Sequence, residues 1–167
     1  MIIGGVAASF LGRPRLTQDI DALVLLDEPL WEKSLDRART FGIEPRIDSA
    51  LDFARRARVL LLRHSASGID IDISLGGLPF EHEAVSRSSI HEIAGIQVRL
   101  PSVEDLIIMK AVAHRPRDLQ DIEGLLTAHP NVNLAAVRQW LREFATAMTM
   151  PDLLEEFEKV VARHMQR

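Results

Sequence analysis

Arg15-Leu16-Thr17-Gln18-Asp19-Ile20-Asp21-Ala22-Leu23-Val24 decides the reading of this chain. Residues 17–26 have the apolar make-up of a β-strand, closed by the turn Asp27-Glu28-Pro29. Strand side chains alternate faces, so Asp19 and Asp21 point the same way, about 7 Å apart at a rise of about 3.3 Å per residue. Two like charges beside an apolar strand repel unless a cation or basic group neutralises them. Oxygen-only donors of this kind suit Mg²⁺, which takes one or two carboxylates together with substrate phosphates.

A second Asp70-Ile71-Asp72 sits in the apolar run 69–75, where Ile69, Ile71 and Ile73 face one side and Asp70, Asp72 and Ser74 the other. Adjacent strands lie about 4.8 Å apart, so Asp72 or Asp70 can supply a third carboxylate. Three such acids can hold two cations, one at an attacking hydroxyl and one bridging a triphosphate. Solvent-facing strand acids are the competing reading, and the depletion of Asp in strands weighs against it. Upstream, Gly4-Gly5 follow Met1-Ile2-Ile3 and open a small-residue helix over 6–11. Glycines there let a phosphate approach backbone N–H groups at the positive end of the helix dipole, although a plain turn explains them equally.

Outward from these motifs, residues 30–41 carry Leu30, Trp31, Leu35 and Ala38 at helical spacing, with Gly42 to cap the helix. A short helix is expected over 48–57. Runs 59–64 and 69–75 read as a hairpin about Ser65-Ala66-Ser67-Gly68, and 90–93 with 96–100 as another about Ala94-Gly95. Thereafter the period turns helical, over 103–114, 117–128, 134–149 and 152–165, with Ser102 and Asp105 forming a capping-box-like start. The expected fold class is α+β: a mixed α/β sheet core over 1–100, then a C-terminal helical segment, 101–167, packed on it. Trp31 and Trp140 are expected in cores.

The 47% apolar and 26% charged fractions fit a soluble globular chain. A net charge of −4 argues against a general nucleic-acid coat. The lack of Tyr and the 5% aromatic content disfavour stacking recognition of single strands. With no cysteine there is no disulfide or thiolate metal site, which is compatible with a cytoplasmic location. The start lacks the basic region of a signal peptide, and no apolar run reaches membrane-helix length. The six histidines show no metal spacing.

Gly4-Gly5, Arg15-x-Thr17-x-Asp19-x-Asp21 and the Asp70/Asp72 strand together resemble the nucleotidyltransferase (DNA polymerase β-like) superfamily, in particular small bacterial abortive-infection toxin-type members. Pro101-Ser102-x-Glu104-Asp105-Leu106-x-x-x-Lys110, followed by Arg115-x-x-Asp118-x-x-Asp121-Ile122, is similar to that group's second signature. The match spans roughly 2–125. It implies a nucleoside triphosphate donor, two Mg²⁺ ions (or Mn²⁺), and transfer of a nucleoside monophosphate to a hydroxyl on tRNA, a protein or a small molecule. An antitoxin protein is an implied partner.

By the same resemblance Asp19 and Asp21 are paired metal ligands. Asp72 is the third acid, helping to deprotonate the acceptor, with Asp70 as the alternative. Gly4 and Gly5 line the phosphates, and Lys110 reaches the triphosphate; otherwise Lys110 is an amphipathic helix lysine. Thr17 reads as a hydrogen-bonding strand start. Arg15 and Arg115, each in an Arg-Pro-Arg, read as guanidinium forks for phosphate or as solvated turn charges. Asp121 reads as a first-turn acid, and Asp118 as a partner of Lys110 or Arg115.

Two departures stand out: Gly5 occupies the place of a common serine, and little precedes the glycines, so either another element covers that edge or the start is mis-set. They motivate a rival expectation, a weakly active or inactive NTP- and metal-binding module working through a protein partner. A third reading, nucleic-acid binding through the arginines, would need base contacts for specificity.

Overall fold

The computed structural model describes residues 1–166. Contacts divide the chain into two compact units, Met1–Val6 with Thr17–Pro101, and Ala7–Leu16 with the chain from Ser102 onward. Helix α1 (Gly4–Leu11) carries the chain from the first to the second.

The first unit is built on a five-stranded sheet, in the order β1 (Ile2–Ile3), β2 (Asp19–Val24), β5 (Asp70–Leu75), β4 (Val59–His64) and β3 (Ile43–Pro45). β2 and β5 run parallel and the other pairs antiparallel, so the sheet is mixed. β4 and β5 form the hairpin expected from their turn residues. Helices α2 (Trp31–Arg39) and α3 (Ala50–Ala57) cover one face, where Trp31, Leu35 and Ala54 pack with Leu60, Leu62 and Leu75. Each large side chain so buried stabilises the fold by roughly 1.5–3 kcal/mol. Trp31 combines that burial with a satisfied N–H, which donates to the Leu26 carbonyl at 3.0 Å, and Arg58 lies over its ring.

Two elements go beyond the sequence reading. β3 is a three-residue edge strand, where Pro45 is tolerated because an edge leaves one side of the backbone unpaired. Helix α4 (Pro79–Arg87) buries only Phe80 and Ala84. Two apolar residues four apart make too faint a stripe to read, but Glu81 fixes its start by accepting from the Gly77 and Leu78 N–H groups at 2.7 and 2.8 Å. The hairpin of β6 (Ser89–Ile93) and β7 (Ile96–Leu100) completes the unit, with β7 lying beside β1.

The second unit is helical: α5 (Val103–Ala113), α6 (Pro116–Ala128), α7 (Leu134–Ala147) and α8 (Leu153–Met165). Ser102 caps α5 by accepting from the Asp105 N–H at 3.1 Å. Leu106, Ile107, Ile122, Leu125, Val137 and Phe157 are among its core residues. Trp140 is half-buried and tilted against Phe144, with ring centroids 6.2 Å apart. No helix among the described residues is long and apolar enough to cross a membrane.

Candidate active site

In the first unit the parallel register pairs Asp19 with Asp70 and Asp21 with Asp72. Register partners share a face, so all four carboxylates project from one side of the sheet, opposite the apolar face carrying Ile71 and Ile73. The rows continue across the sheet: Asp70 pairs with Arg63 and Arg63 with Glu44, while Asp72 pairs with Leu61. The two motifs that the sequence separates are therefore lateral neighbours.

Each acid has its own setting. Thr17 Oγ1 donates to Asp19 Oδ1 at 2.7 Å, fixing that carboxylate at the head of β2. Asp21 lies against Gly4: a β-carbon on Gly4 would stand 2.7 Å from the Asp21 β-carbon, and Gly4 also has φ +63°. The glycine is thus needed twice, for its backbone conformation and for the room it leaves the carboxylate. Gly5, the next residue of α1, is buried.

Asp70 is held at both oxygens, Oδ1 by Arg63 Nε at 2.6 Å and Oδ2 by Arg46 Nη1 at 2.9 Å. The hydrogen bond from Arg63 is the main cause holding Asp70 below the ordinary carboxylate value of 3.8. Arg46 also donates from Nη2 to Asp72 Oδ1. The sequence reading missed Arg46, which follows β3 and has no motif around it; only the register across three strands reveals it.

These residues fit a divalent metal by donor chemistry: carboxylate oxygens only, several on one face, beside a glycine that leaves space. Among the described residues no three acidic or histidine side chains are drawn together tightly enough to hold a metal ion. Asp70 and Asp72 are instead engaged by guanidinium groups.

The second unit holds Lys110, Arg15 and Arg115 in one alternating network. Lys110 Nζ lies 2.7 Å from Asp118 Oδ1 and 2.8 Å from Asp121 Oδ2, with only 4% of its side chain exposed. Arg15 grips Asp121 with both ends of its fork, at 2.7 and 2.8 Å. Arg115 Nε donates to Asp118 Oδ2 at 2.6 Å. Three cations thus converge on two carboxylates. Burial opposes ionisation of Asp118 and Asp121, but the hydrogen bonds from Arg115 and Lys110 to the first, and from Arg15 and Lys110 to the second, outweigh it. Both sit below 3.8. Asp121 is therefore more than a first-turn acid favoured by the dipole, since it is the common anchor of Arg15 and Lys110. A cavity of about 600 Å³ in this unit is lined by Arg13, Arg15, Gln120, Asp121 and Thr127 among others.

The mixed sheet and its neighbouring helices define a nucleotidyltransferase-like fold, which two solved structures share. One is an antigenic nucleotidyltransferase-like protein from Paracoccidioides brasiliensis, with a TM-score of 0.54 and 16% identity over 91% of this chain and 80% of that one. The other is the antibiotic-resistance factor ANT(2″)-Ia, also with a TM-score of 0.54 and 16% identity, over 99% of this chain and 84% of that one. Among curated proteins nothing matches. The chain belongs to the nucleotidyl transferase AbiEii toxin family of type IV toxin–antitoxin systems, whose model matches residues 2–167. It is accordingly a nucleotidyltransferase.

Proposed function

We propose that this enzyme moves a nucleoside monophosphate from an NTP to a hydroxyl group in a divalent-metal-dependent reaction, acting in the cytoplasm as the toxin partner of an antitoxin protein. The observation that carries the reading is the parallel register that sets Asp19 and Asp21 beside Asp70 and Asp72 on one sheet face. Such a concentration of negative charge is costly unless cations complete it. The acceptor class covers tRNA, a protein or a small molecule, with Mg²⁺ as the metal and Mn²⁺ as its substitute.

Roles follow from the settings described. Asp19 and Asp21 would hold the metal, with Thr17 orienting Asp19 and Gly4 leaving room for Asp21. Asp72 is the third acid rather than Asp70, since both Asp70 oxygens are taken by arginines whereas Asp72 Oδ2 is not so held. A divalent ion bound there would supply charge neutralisation for the triphosphate and would make the acceptor hydroxyl easier to ionise. Asp72 takes the acceptor proton as the acceptor oxygen bonds to the α-phosphorus and the bond to the pyrophosphate oxygen breaks. Gly4 and Gly5 offer close backbone approach to the phosphates.

The second unit is assigned its part separately. Lys110, Arg15 and Arg115 bring together the donor types that a polyphosphate requires. Two of the three Lys110 donors face Asp118 and Asp121, and the third is the one for a phosphate oxygen.

The test is metal-dependent pyrophosphate release with each of the four NTPs and with tRNA among the acceptors. Asp19→Asn is expected to lose at least about 100-fold in turnover. Turnover unchanged in that variant would remove the assignment.

A further inference from the structure

Among the described residues Arg46 is the charged side chain that ties Asp70 to Asp72, and no sequence motif marks it. Its backbone is pinned, because its N–H donates to the Leu61 carbonyl at 2.9 Å in continuation of the β3–β4 ladder. Any re-aiming therefore falls to the side chain. It is three-quarters buried, and its Nε is a buried donor with no hydrogen-bond partner among the described residues. A buried donor left unsatisfied marks a pose in which the guanidinium still lacks one hydrogen bond.

One guanidinium on this face serves two carboxylates. Arg46 and Arg63 between them answer Asp70, and Arg46 answers Asp72 as well. Glu44 at the end of the row is answered by Arg39 at 3.4 Å. Arg46 is thus a monovalent cation at the carboxylate where the proposed function needs a divalent one.

We infer that Arg46 is a displaceable counter-ion that holds Asp72 in the metal-free enzyme and yields it to the divalent ion, pivoting on Asp70 as it does so. The inference rests on the metal-dependent reading above and names the residue that sets its metal threshold. Asp70 suits the pivot because Arg63 fixes its other oxygen. At equal distance a divalent ion attracts Asp72 twice as strongly as a guanidinium does, and Asp21 in the same row adds to the pull. Against this, Mg²⁺ gives up its water reluctantly, so the exchange is a contest rather than a rout. Arg46 is therefore a positioning residue, acting through Asp72.

The experiment is Mn²⁺ titration of the full chain followed by electron paramagnetic resonance, which counts free ion without any turnover. Arg46→Met is expected to bind Mn²⁺ about 10-fold more tightly than the wild type, the size of effect that groups just outside a metal's ligands exert. Arg46→Gln, which keeps a donor but no charge, should do the same and serves if the first variant folds poorly. In the Arg46→Met background, Asp72→Asn should abolish the gain and Asp70→Asn should leave it. Unchanged or weaker binding in both folded Arg46 variants overturns the inference while leaving the metal reading intact. Failure of every form, wild type included, to bind Mn²⁺ even beside a non-hydrolysable NTP overturns both.

Discussion

Gly4 and Asp21 occupy each other's space: the carboxylate of Asp21 fills the volume where a side chain on Gly4 would begin. The two share a unit, one at the start of α1 and the other on β2, whose partner β1 immediately precedes the glycine. Gly4→Ala therefore meets two obstacles, a left-handed backbone at φ +63° and a clash with Asp21. The backbone alone should cost about 1–3 kcal/mol. Displacing Asp21 by about 1 Å should cost about 100-fold in turnover. Gly68→Ala is the control, since φ is +70° there but nothing lies within 4 Å of the new methyl group. It should lose about 1 kcal/mol of stability and keep its activity. Urea melts and pyrophosphate release, measured on both variants, separate strain from site damage.

Thr17 acts on Asp19 through a hydroxyl donated at 2.7 Å to Oδ1. Thr17→Val keeps the shape and deletes the donor. The Mg²⁺ concentration for half-maximal rate should rise about 10-fold, the usual penalty for losing an orienting partner of a metal ligand. Thr17→Ser should restore it. An equal loss in both variants would mean that the methyl group, not the hydroxyl, matters at this position.

Which of these features was legible in the chain follows from their range. Both Asp-x-Asp motifs and their strands stand out because aspartate is rare in an apolar run, and the 59–75 hairpin follows from its turn residues. The parallel register between β2 and β5 is another matter. Slipping it by one residue would turn one Asp pair to the opposite face, and nothing local to either strand sets the choice. Arg46 is invisible for the same reason, since its partners lie two strands away. Asp118 reads from sequence as a partner of Lys110 or Arg115 and in fact meets both, whereas Asp121, read as a first-turn acid, pairs with Lys110 unannounced. The grip of Arg15 on Asp121 spans 106 residues, and no periodicity could announce it. Likewise Ala7–Leu16 joins a unit whose remainder begins only at Ser102.

Removing Lys110 should reveal how far its network is structural. Lys110→Met keeps the length and apolar stem but leaves the buried Asp118 and Asp121 facing each other, with only Arg115 and Arg15 to answer them. Breaking a buried ion pair from one side typically costs about 3–5 kcal/mol. A fall of that size in the urea unfolding free energy is expected at neutral pH. A fall under about 1 kcal/mol, the range of a surface pair, would mean that the two arginines suffice.

Acid should find the same network. Asp118 and Asp121 are held below their ordinary value of 3.8, so near that pH the folded chain binds fewer protons than the unfolded one. The stability they contribute is fully present above the unfolded value and drains away as pH falls through the lowered folded values. Between about pH 7 and pH 5 these two groups should leave Tm unmoved, and below about pH 4 they should pull it down. Asp121→Asn cannot titrate. It should start from a lower Tm at neutral pH, because Arg15 and Lys110 each lose a charged partner. From there its Tm should fall less steeply between about pH 5 and pH 3 than that of the wild type. Thermal melts of the two proteins across that range make the comparison directly. Parallel curves would place the acid sensitivity elsewhere, with Asp70 on the first unit as the next carboxylate to replace, since Arg63 and Arg46 hold it low in the same way.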